Sequence, residues 1–576
     1  MASGSSPIAV ALPLPAAAAR PIRQALSRDD LVMRTGLVLV AAWLALSVLL
    51  PLWALFEKAF EGPDGGFVGL ANFAAYAATP ALGTSLWNSV LVASLSTVIC
   101  VALAFGYAYA LTRTSIPAKG LFGAIAAIPI LAPSLLPAIA LVYLFGNQGF
   151  ARWALFGQSI YGPIGIVIGE VFWTFPHALI IVTTALATAD ARLYEAAASL
   201  KASRARIVWT VTLPGARYGL VSATFVVFTL VITDFGVPKV IGGSFNVLAV
   251  DVYKQVVGQQ NFQMGAVVGL VLLVPALLSF VVDRLVQRRQ AALLSARAVP
   301  YEPKPDPLVD RLALGFCLLV AAAILVILGT AIFASLATFW PYNLTPSLKN
   351  YDFDNMDGGG WESYWNSLEM ASLTALFGTA IVFGGAWLVE KTRRFEAVRG
   401  LVQLLALLPL AIPGLVMGLG YIFFFVEPAN PFHFLYGSMA ILVICTIAHF
   451  YSVAHLTAVT ALKQLDPEFE SVSASLKVPI WRTFFKVTVP VCLPAILDVA
   501  AYLFVNAMTT VSAVVFLYSP RTQLASIAVL NMDDAGDIAP AAAMAVMIFL
   551  TSALVRTLYG LLTRGFLART QAWRRR

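Results

Sequence analysis

Twelve apolar runs of about 20 residues, each long enough for a helix to cross a bilayer, occupy most of this chain and leave little room for another architecture. They read as 37–55, 90–111, 121–145, 164–185, 218–235 and 265–282, then 312–336, 370–389, 401–425, 438–459, 491–516 and 541–562. Inside lipid a backbone must satisfy its own hydrogen bonds, so the expected fold is all-α, a polytopic membrane protein of about 12 transmembrane helices. With 60% hydrophobic and 11% charged residues, no water-soluble domain could cover the apolar surface. The N-terminal stretch is not a secretion signal by pattern. Arg20, Arg23 and Arg28 follow its weak apolar run instead of preceding it, and Pro13 and Pro15 interrupt that run.

The second six runs repeat the first. Trp87, Asn88 and Ser89 return as Trp365, Asn366 and Ser367, and Phe105-Gly106 returns as Phe383-Gly384 at the same offset. Pro129 and Pro133 return as Pro409 and Pro413 at nearly that offset. The longest copy is 194–214, YEAAASLKASRARIVWTVTLP, which reappears in matching register at 470–490 as ESVSASLKVPIWRTFFKVTVP. Ala198/Ala474, Ser199/Ser475, Leu200/Leu476, Lys201/Lys477, Arg206/Arg482 and Pro214/Pro490 are identical. An even number of crossings per unit gives two parallel six-helix repeats about an axis along the membrane normal. The expected division is a tail at 1–33, a first transmembrane domain at 34–290, a linker at 291–311 that includes Pro303, Pro305 and Pro307, and a second transmembrane domain at 312–576.

The formal charge of +8 belongs to the loops and suits anionic lipid headgroups, not nucleic acid. If both termini are cytoplasmic, 31 of the 37 Lys and Arg residues lie inside. Lys58, Arg152, Lys239, Lys254, Lys349 and Arg521 remain outside. Both copies of the repeated stretch then fall in the cytoplasm, between the fourth and fifth crossings of their half.

Such a loop moves its neighbours only if a partner grips it, and a short helix with small side chains fits a partner's groove. Ala196, Ala197 and Ala198 supply that surface. Glu195 falls in the first turn, where a carboxylate suits the helix dipole, and Lys201, Arg204 and Arg206 follow. One such helix could equally rest on headgroups; two at matched positions argue for paired docking.

With this loop the chain resembles the inner-membrane permeases of binding-protein-dependent ABC importers. Their signature reads Glu-Ala-Ala, three residues, Gly, then a longer gap ending in a hydrophobic residue and Pro. Glu195-Ala196-Ala197 and Leu213-Pro214 fit it, while Lys201 stands where the family usually has Gly. In the second copy Ser471 and Val472 replace Glu and Ala, Glu470 lies one position early, and Lys477 again replaces Gly. The resemblance implies a type I ABC importer permease with both halves in one chain, in a bacterial inner membrane. It further implies that Glu195, Ala196, Ala197, Ser199, Leu200 and Lys201, with Glu470, Ser475, Leu476 and Lys477, couple to a cytoplasmic dimer of ABC ATPase subunits. A periplasmic substrate-binding protein would deliver the solute. No Gly-Lys-Ser or Gly-Lys-Thr occurs in the chain, so nucleotide hydrolysis is expected of the partners, and the chain is expected to be neither an enzyme nor a cofactor carrier.

The translocation path is expected near Pro133, Asp234, Pro413, Asn506 and Thr510. Prolines within the third run of each half free backbone carbonyls and bend helices, either for packing or for gating. Asp234 lies at membrane depth, where an acid faces a cavity or partner, or else sits in interfacial water; Thr510 is its counterpart. Glu170, His177, Glu369, His449, His455 and Asp498 are read as satisfied by neighbouring helices. Cys100, Cys317, Cys445 and Cys492 have no CxxC spacing and are read as packing residues. No metal-site spacing and no nucleophile-base constellation is evident.

The runs at 112–122, 129–149, 174–186 and 233–243 resemble the permeases of 2-aminoethylphosphonate importers, with iron(III) import as the alternative cargo. An ion-gradient-driven secondary transporter also has parallel six-helix halves, but it has no use for duplicated docking loops.

Overall fold

The structure, a computed structural model, describes residues 27–293, 299, 301–392, 395–466 and 468–570. The expected tail therefore lies mostly outside the described residues. The first half runs α1 (Arg28–Ala59), α2 (Pro80–Arg113), a bent pair α3 (Lys119–Leu131) and α4 (Leu135–Phe145), α5 (Pro163–Ala187), a loop helix α6 (Ala191–Ser199), α7 (Arg204–Thr233), a short α8 (Gly236–Ile241) and α9 (Phe262–Leu293). The second half repeats this as α10 (Pro307–Leu336), α11 (Gly360–Lys391), the bent pair α12 (Glu396–Ala411) and α13 (Gly414–Phe425), α14 (Met439–Lys463), the loop helix α15 (Glu468–Ser475), α16 (Ile480–Thr509), α17 (Ala525–Ala535) and α18 (Ile538–Thr570). A small antiparallel hairpin, β1 (Ala337–Phe339) with β2 (Asn343–Pro346), follows α10.

Local sequence explains where the first helix of each half begins. Ser27 and Asp30 form a reciprocal capping box ahead of α1, with Asp30 N–H donating to Ser27 Oγ at 3.0 Å. Asp306 caps α10 by accepting the N–H groups of Leu308 and Val309 at 3.0 and 3.1 Å, with Pro307 preset for the first turn. Because α9 continues to Leu293 and α10 starts at Pro307, helix takes up both ends of the stretch around the linker.

The third run of each half is not one straight helix. It turns by 103° between α3 and α4 and by 115° between α12 and α13. The turns sit where Ala132 and Ile412, each before a proline, are forced into extended backbone. Each bent pair nevertheless makes one crossing. Arg113 at the end of α2 reaches Leu186 O at the end of α5. Near their starts, Asn88 donates to Asn246 O and Gly162 N–H to Ile241 O, both at 2.9 Å. Thus α2 and α5 run in the same direction, and 119–145 must carry the chain back between them. The second half gives the same result: Lys391 at the end of α11 pairs with Glu470 just past α14, and Asn366 and Gly437 both bond to the segment 519–523 at the opposite end.

Both loop helices lie at one end of the bundle. Asp29 at the start of α1 accepts the Ile480 N–H at 3.0 Å beside the second loop, and Asp306 at the start of α10 pairs with Arg204 beside the first. The opposite end is tied across the halves by Lys239 to Asp534 at 2.8 Å.

The sequence halves are not the packing units. α1 lies on the second half: Trp43 meets Tyr451 at 5.6 Å between rings, Tyr421 Oη donates to Ser47 O at 2.6 Å, and Gly385 and Gly36 let α1 and α11 approach closely. Reciprocally, α10 lies on the first half, with Phe316 against Gly106 and Trp340 5.2 Å from Tyr143. Small residues at these crossings follow the logic of helix association in lipid, where close backbone approach replaces a hydrophobic drive.

Candidate coupling loops and substrate path

Each loop helix ends in the same way. Leu200 N–H returns to Ala196 O, Lys201 N–H to Ala198 O and Ala202 N–H to Ala197 O, at 3.1, 2.9 and 3.0 Å. The second copy repeats the pattern with Leu476, Lys477 and Val478 at 2.9, 3.1 and 2.9 Å. This cap requires a left-handed residue at its apex, and Lys201 and Lys477 supply it with φ +53° in both. The glycine of the family signature is therefore a conformational requirement, met here by lysine. Beyond the cap each chain re-enters through a π-helical stretch at matched positions, Val208–Thr212 and Phe484–Thr488, a single-turn widening of the helix.

A basic residue at the end of the second crossing holds the base of each loop helix. In the first half the Arg113 guanidinium lies 5.0 Å from the Tyr194 ring and donates to its hydroxyl at 3.2 Å, and Tyr194 Oη in turn donates to Thr212 at 3.2 Å. In the second, Lys391 forms an ion pair with Glu470. Glu470 thus occupies the position of Tyr194, not that of Glu195. Its side chain stays 38% exposed while paired, and the pair holds the base of the loop. The linker adds a further hold on the first loop: Ala191 N–H donates to Val299 O at 2.9 Å, the Tyr301 ring lies tilted 4.6 Å from that of Tyr194, and a cavity of about 500 Å³ lies between linker and loop.

What the loops present outward is apolar. Leu193 and Leu200 are 56% and 83% exposed on α6 and its cap, and their counterparts Phe469 and Leu476 are 45% and 71% exposed. With Ala196 and Val472 between them they form a ridge at i, i+3 and i+7 on one helix face. Glu195, Ala196, Ser199 and Lys201 are exposed beside it, as are Ser475 and Lys477, whereas Ala197 is half-buried. The Ser199 and Ser475 hydroxyls donate back to Glu195 O and Ser471 O at 2.9 and 2.8 Å, within their own helices.

The expected path residues gather in two matched places. Pro133 and Pro413 mark the two bends, both buried. Asp234 and Thr510 end α7 and α16, the helices that lead directly out of the loops. In each half the bend touches the turn that follows that helix. A β-carbon on Gly236 would stand 2.2 Å from Ser134 Oγ, and one on Gly414 would stand 2.3 Å from Ser512 Oγ. The same junction is built twice with glycine and serine exchanged. Asn506 lies one turn before Thr510 and donates to Tyr502 O at 2.8 Å, within its own helix.

The family model described as a binding-protein-dependent transport system inner membrane component matches residues 101–292 and again 378–567. The chain belongs to that family. Both halves of the permease carry the family domain, with the repeated loop inside each match. A ferric transport system permease protein of Haemophilus influenzae is 29% identical to it over 462 residues, which is 76% of this chain and 70% of the relative. One from Actinobacillus pleuropneumoniae is 29% identical over 478 residues, 79% of this chain and 67% of the relative. A 2-aminoethylphosphonate transport system permease protein of Salmonella typhi is 25% identical over 276 residues, 46% of this chain and 95% of that protein.

Sequence reasoning misses several of the permease's site residues. Leu193 and Phe469 were legible as an apolar pair at the repeat offset, seven positions ahead of Leu200 and Leu476. Arg113 and Lys391, at the ends of matched apolar runs, also carried a signal. Their contact with the loop helix did not.

Proposed function

We propose that the permease is the membrane subunit of an ATP-driven importer in which α6 and α15 dock, one each, onto a cytoplasmic dimer of ABC ATPase subunits. The observation that carries this reading is the pair of exposed apolar ridges, Leu193 to Leu200 and Phe469 to Leu476, at the same end of the bundle. Leu, Ala and Val side chains at the crown bury against a partner's groove, and Glu195, Lys201 and Lys477 form a polar rim. Arg113–Tyr194 and Lys391–Glu470 fix each ridge to the rest of its half, so a pull on the loop is delivered to α7 and α16 instead of being lost in a slack hinge. Those helices, about 45 Å long at 1.5 Å per residue, end at Asp234 and Thr510 beside the two bends. Closure of the ATPase dimer draws the loops together and rocks the halves, provided nucleotide binding favours one arrangement over the other. A periplasmic binding protein hands solute to the end bearing Lys239 and Asp534. Both termini are cytoplasmic in this reading.

Ferric iron is the cargo best supported, since the similarity that spans both halves is to ferric permeases; 2-aminoethylphosphonate is the second reading, supported by the half-length relative. Reconstitution with the ATPase and binding protein, followed by nucleotide-dependent uptake of each solute, tests both. Solute uptake by the permease alone would overturn the docking role.

A further inference from the structure

Two helix breaks meet inside the first half, and the side chains at their junction are acidic. Asp234, in the turn between α7 and α8, accepts the Val237 N–H at 2.8 Å, and Ser134 of the α3–α4 bend packs against the same turn at Gly236. Across from it on α5, Glu170 is wholly buried, with its carboxyl against that of Asp234. Neither Glu170 oxygen has a well-aligned hydrogen-bond partner. Asp234, by contrast, keeps part of its surface open. Glu170 lies two turns into α5, roughly 10 Å from its far end at the helical rise, so the pair is set back inside the bundle from that end.

The second half has the same breaks without the charge. Thr446 and Thr510 occupy the positions equivalent to Glu170 and Asp234 in the repeat. Thr446 satisfies its hydroxyl on Leu442 O at 2.7 Å, and Thr510 leaves no buried hydroxyl without a partner. The fold therefore closes this junction with neutral, satisfied groups when nothing else is asked of it. An orphaned carboxyl beside a second one is costly in such a place and is found where a positive group visits.

We propose that Glu170 and Asp234 form a transient site for the positively charged centre of the transported solute, either a ferric ion or the ammonium of an aminoalkylphosphonate. This rests on the importer reading for its cargo. Where one carboxyl proton is held at the site, an arriving ammonium exchanges for it charge for charge: the O–H bond breaks and the proton leaves by the open side of Asp234. A ferric ion brings further positive charge, offset by anionic oxygen ligands that travel in with it. Among the described residues no third His, Cys, Asp or Glu completes a cage. Two carboxylates and a serine hydroxyl suit brief capture, whereas a fuller hard-oxygen cage would retain the ion.

The test uses the purified full chain in equilibrium dialysis with radiolabelled ferric citrate and with radiolabelled 2-aminoethylphosphonate, in separate arms. The wild type is expected to retain one probe, and the double variant Glu170→Gln/Asp234→Asn less than a tenth as much. The acid exchange Glu170→Asp/Asp234→Glu is expected to keep at least a third. Glu170→Thr/Asp234→Thr copies the packing of the second half and provides a folded control that should also lose the probe. Equal retention by wild type and neutral variants, including none by either, overturns the site. Reconstituted with its ATPase and binding protein, the wild type should transport the retained probe at least tenfold faster than the neutral variants. Unchanged uptake in the neutral variants sinks the site and leaves the importer reading standing. Retention without any nucleotide-dependent uptake does the reverse.

Discussion

Lys201 and Lys477, equivalent positions of the two repeats, hold the same left-handed backbone, φ +53° in each, at the apex of matching helix caps. A side chain there is strained by about 1 kcal/mol relative to glycine, partly offset because glycine gains entropy in the unfolded chain. Lys201→Gly and Lys477→Gly should each stabilise the permease by roughly 0.5 kcal/mol, the net of those two opposing effects, read as a small rise in unfolding temperature in detergent. A fall in both variants would mean that the lysine side chains hold the cap by some other contact.

The exposed ridge predicts a different behaviour for Leu200→Asp and Leu476→Asp. Each is on the surface of the chain, so folding and yield should be unchanged. Docking should weaken at least tenfold, because losing one buried Leu costs about 1.5–3 kcal/mol. Co-purification with the ATPase subunits measures it, and undiminished recovery from the double variant would remove the ridge from the interface.

The exchanged pair at the bends can be tested by copying one half into the other. Gly236→Ala brings a methyl to within 2.2 Å of Ser134 Oγ and should destabilise by about 1–3 kcal/mol, the cost of overpacking. Ser134→Gly/Gly236→Ser reproduces the Gly414 and Ser512 arrangement and should recover most of that loss. A double variant as unstable as the single one would show that the two junctions are not interchangeable.

Charge exchange probes the base of the second loop. Glu470→Lys alone sets two cations together, while Lys391→Glu/Glu470→Lys restores opposite charges; the coupling in a double-mutant cycle should be about 0.5–1 kcal/mol for this partly exposed pair. Zero coupling at low salt would dismiss the pair as a hold on α15.

Asp533, on α17 outside the crossings, is pushed up to about 6 from an ordinary 3.8, first by burial and next by neighbouring Asp534, against the pull of Lys239. The folded chain therefore holds this proton more tightly than the unfolded one. Stability should decline as pH rises from about 4 to about 6 and level off above that, by about 1 kcal/mol once solvent screening is allowed for. Asp533→Asn should flatten that part of the profile and raise stability at pH 7; an unchanged slope across pH 4–6 would assign the decline to other groups.

The apolar runs made the crossings legible, and the repeated 194–214 segment made the docking loops legible, because lipid imposes length and duplication imposes register. The prolines at 133 and 413 announced bends without their size or their neighbours; Gly236 and Ser512, which pack against them, lie far along the chain from each. Glu470 aligned with Tyr194 from the repeat alone, but its ion pair with Lys391, far along the chain, was not legible there. The seating of α1 on the opposite half could not be read at all. A helix apolar on every side carries no periodicity that names its neighbour, since lipid and protein make the same demand of it.

That crossed seating decides which segments must stretch during transport. If the halves rock apart, α1 travels with the second and α10 with the first, so relative displacement falls on the connections at 60–79 and 337–359. The hairpin and short helices in those two connectors are then elastic couplings between moving bodies, and shortening either one should stall the cycle without disturbing either end of it.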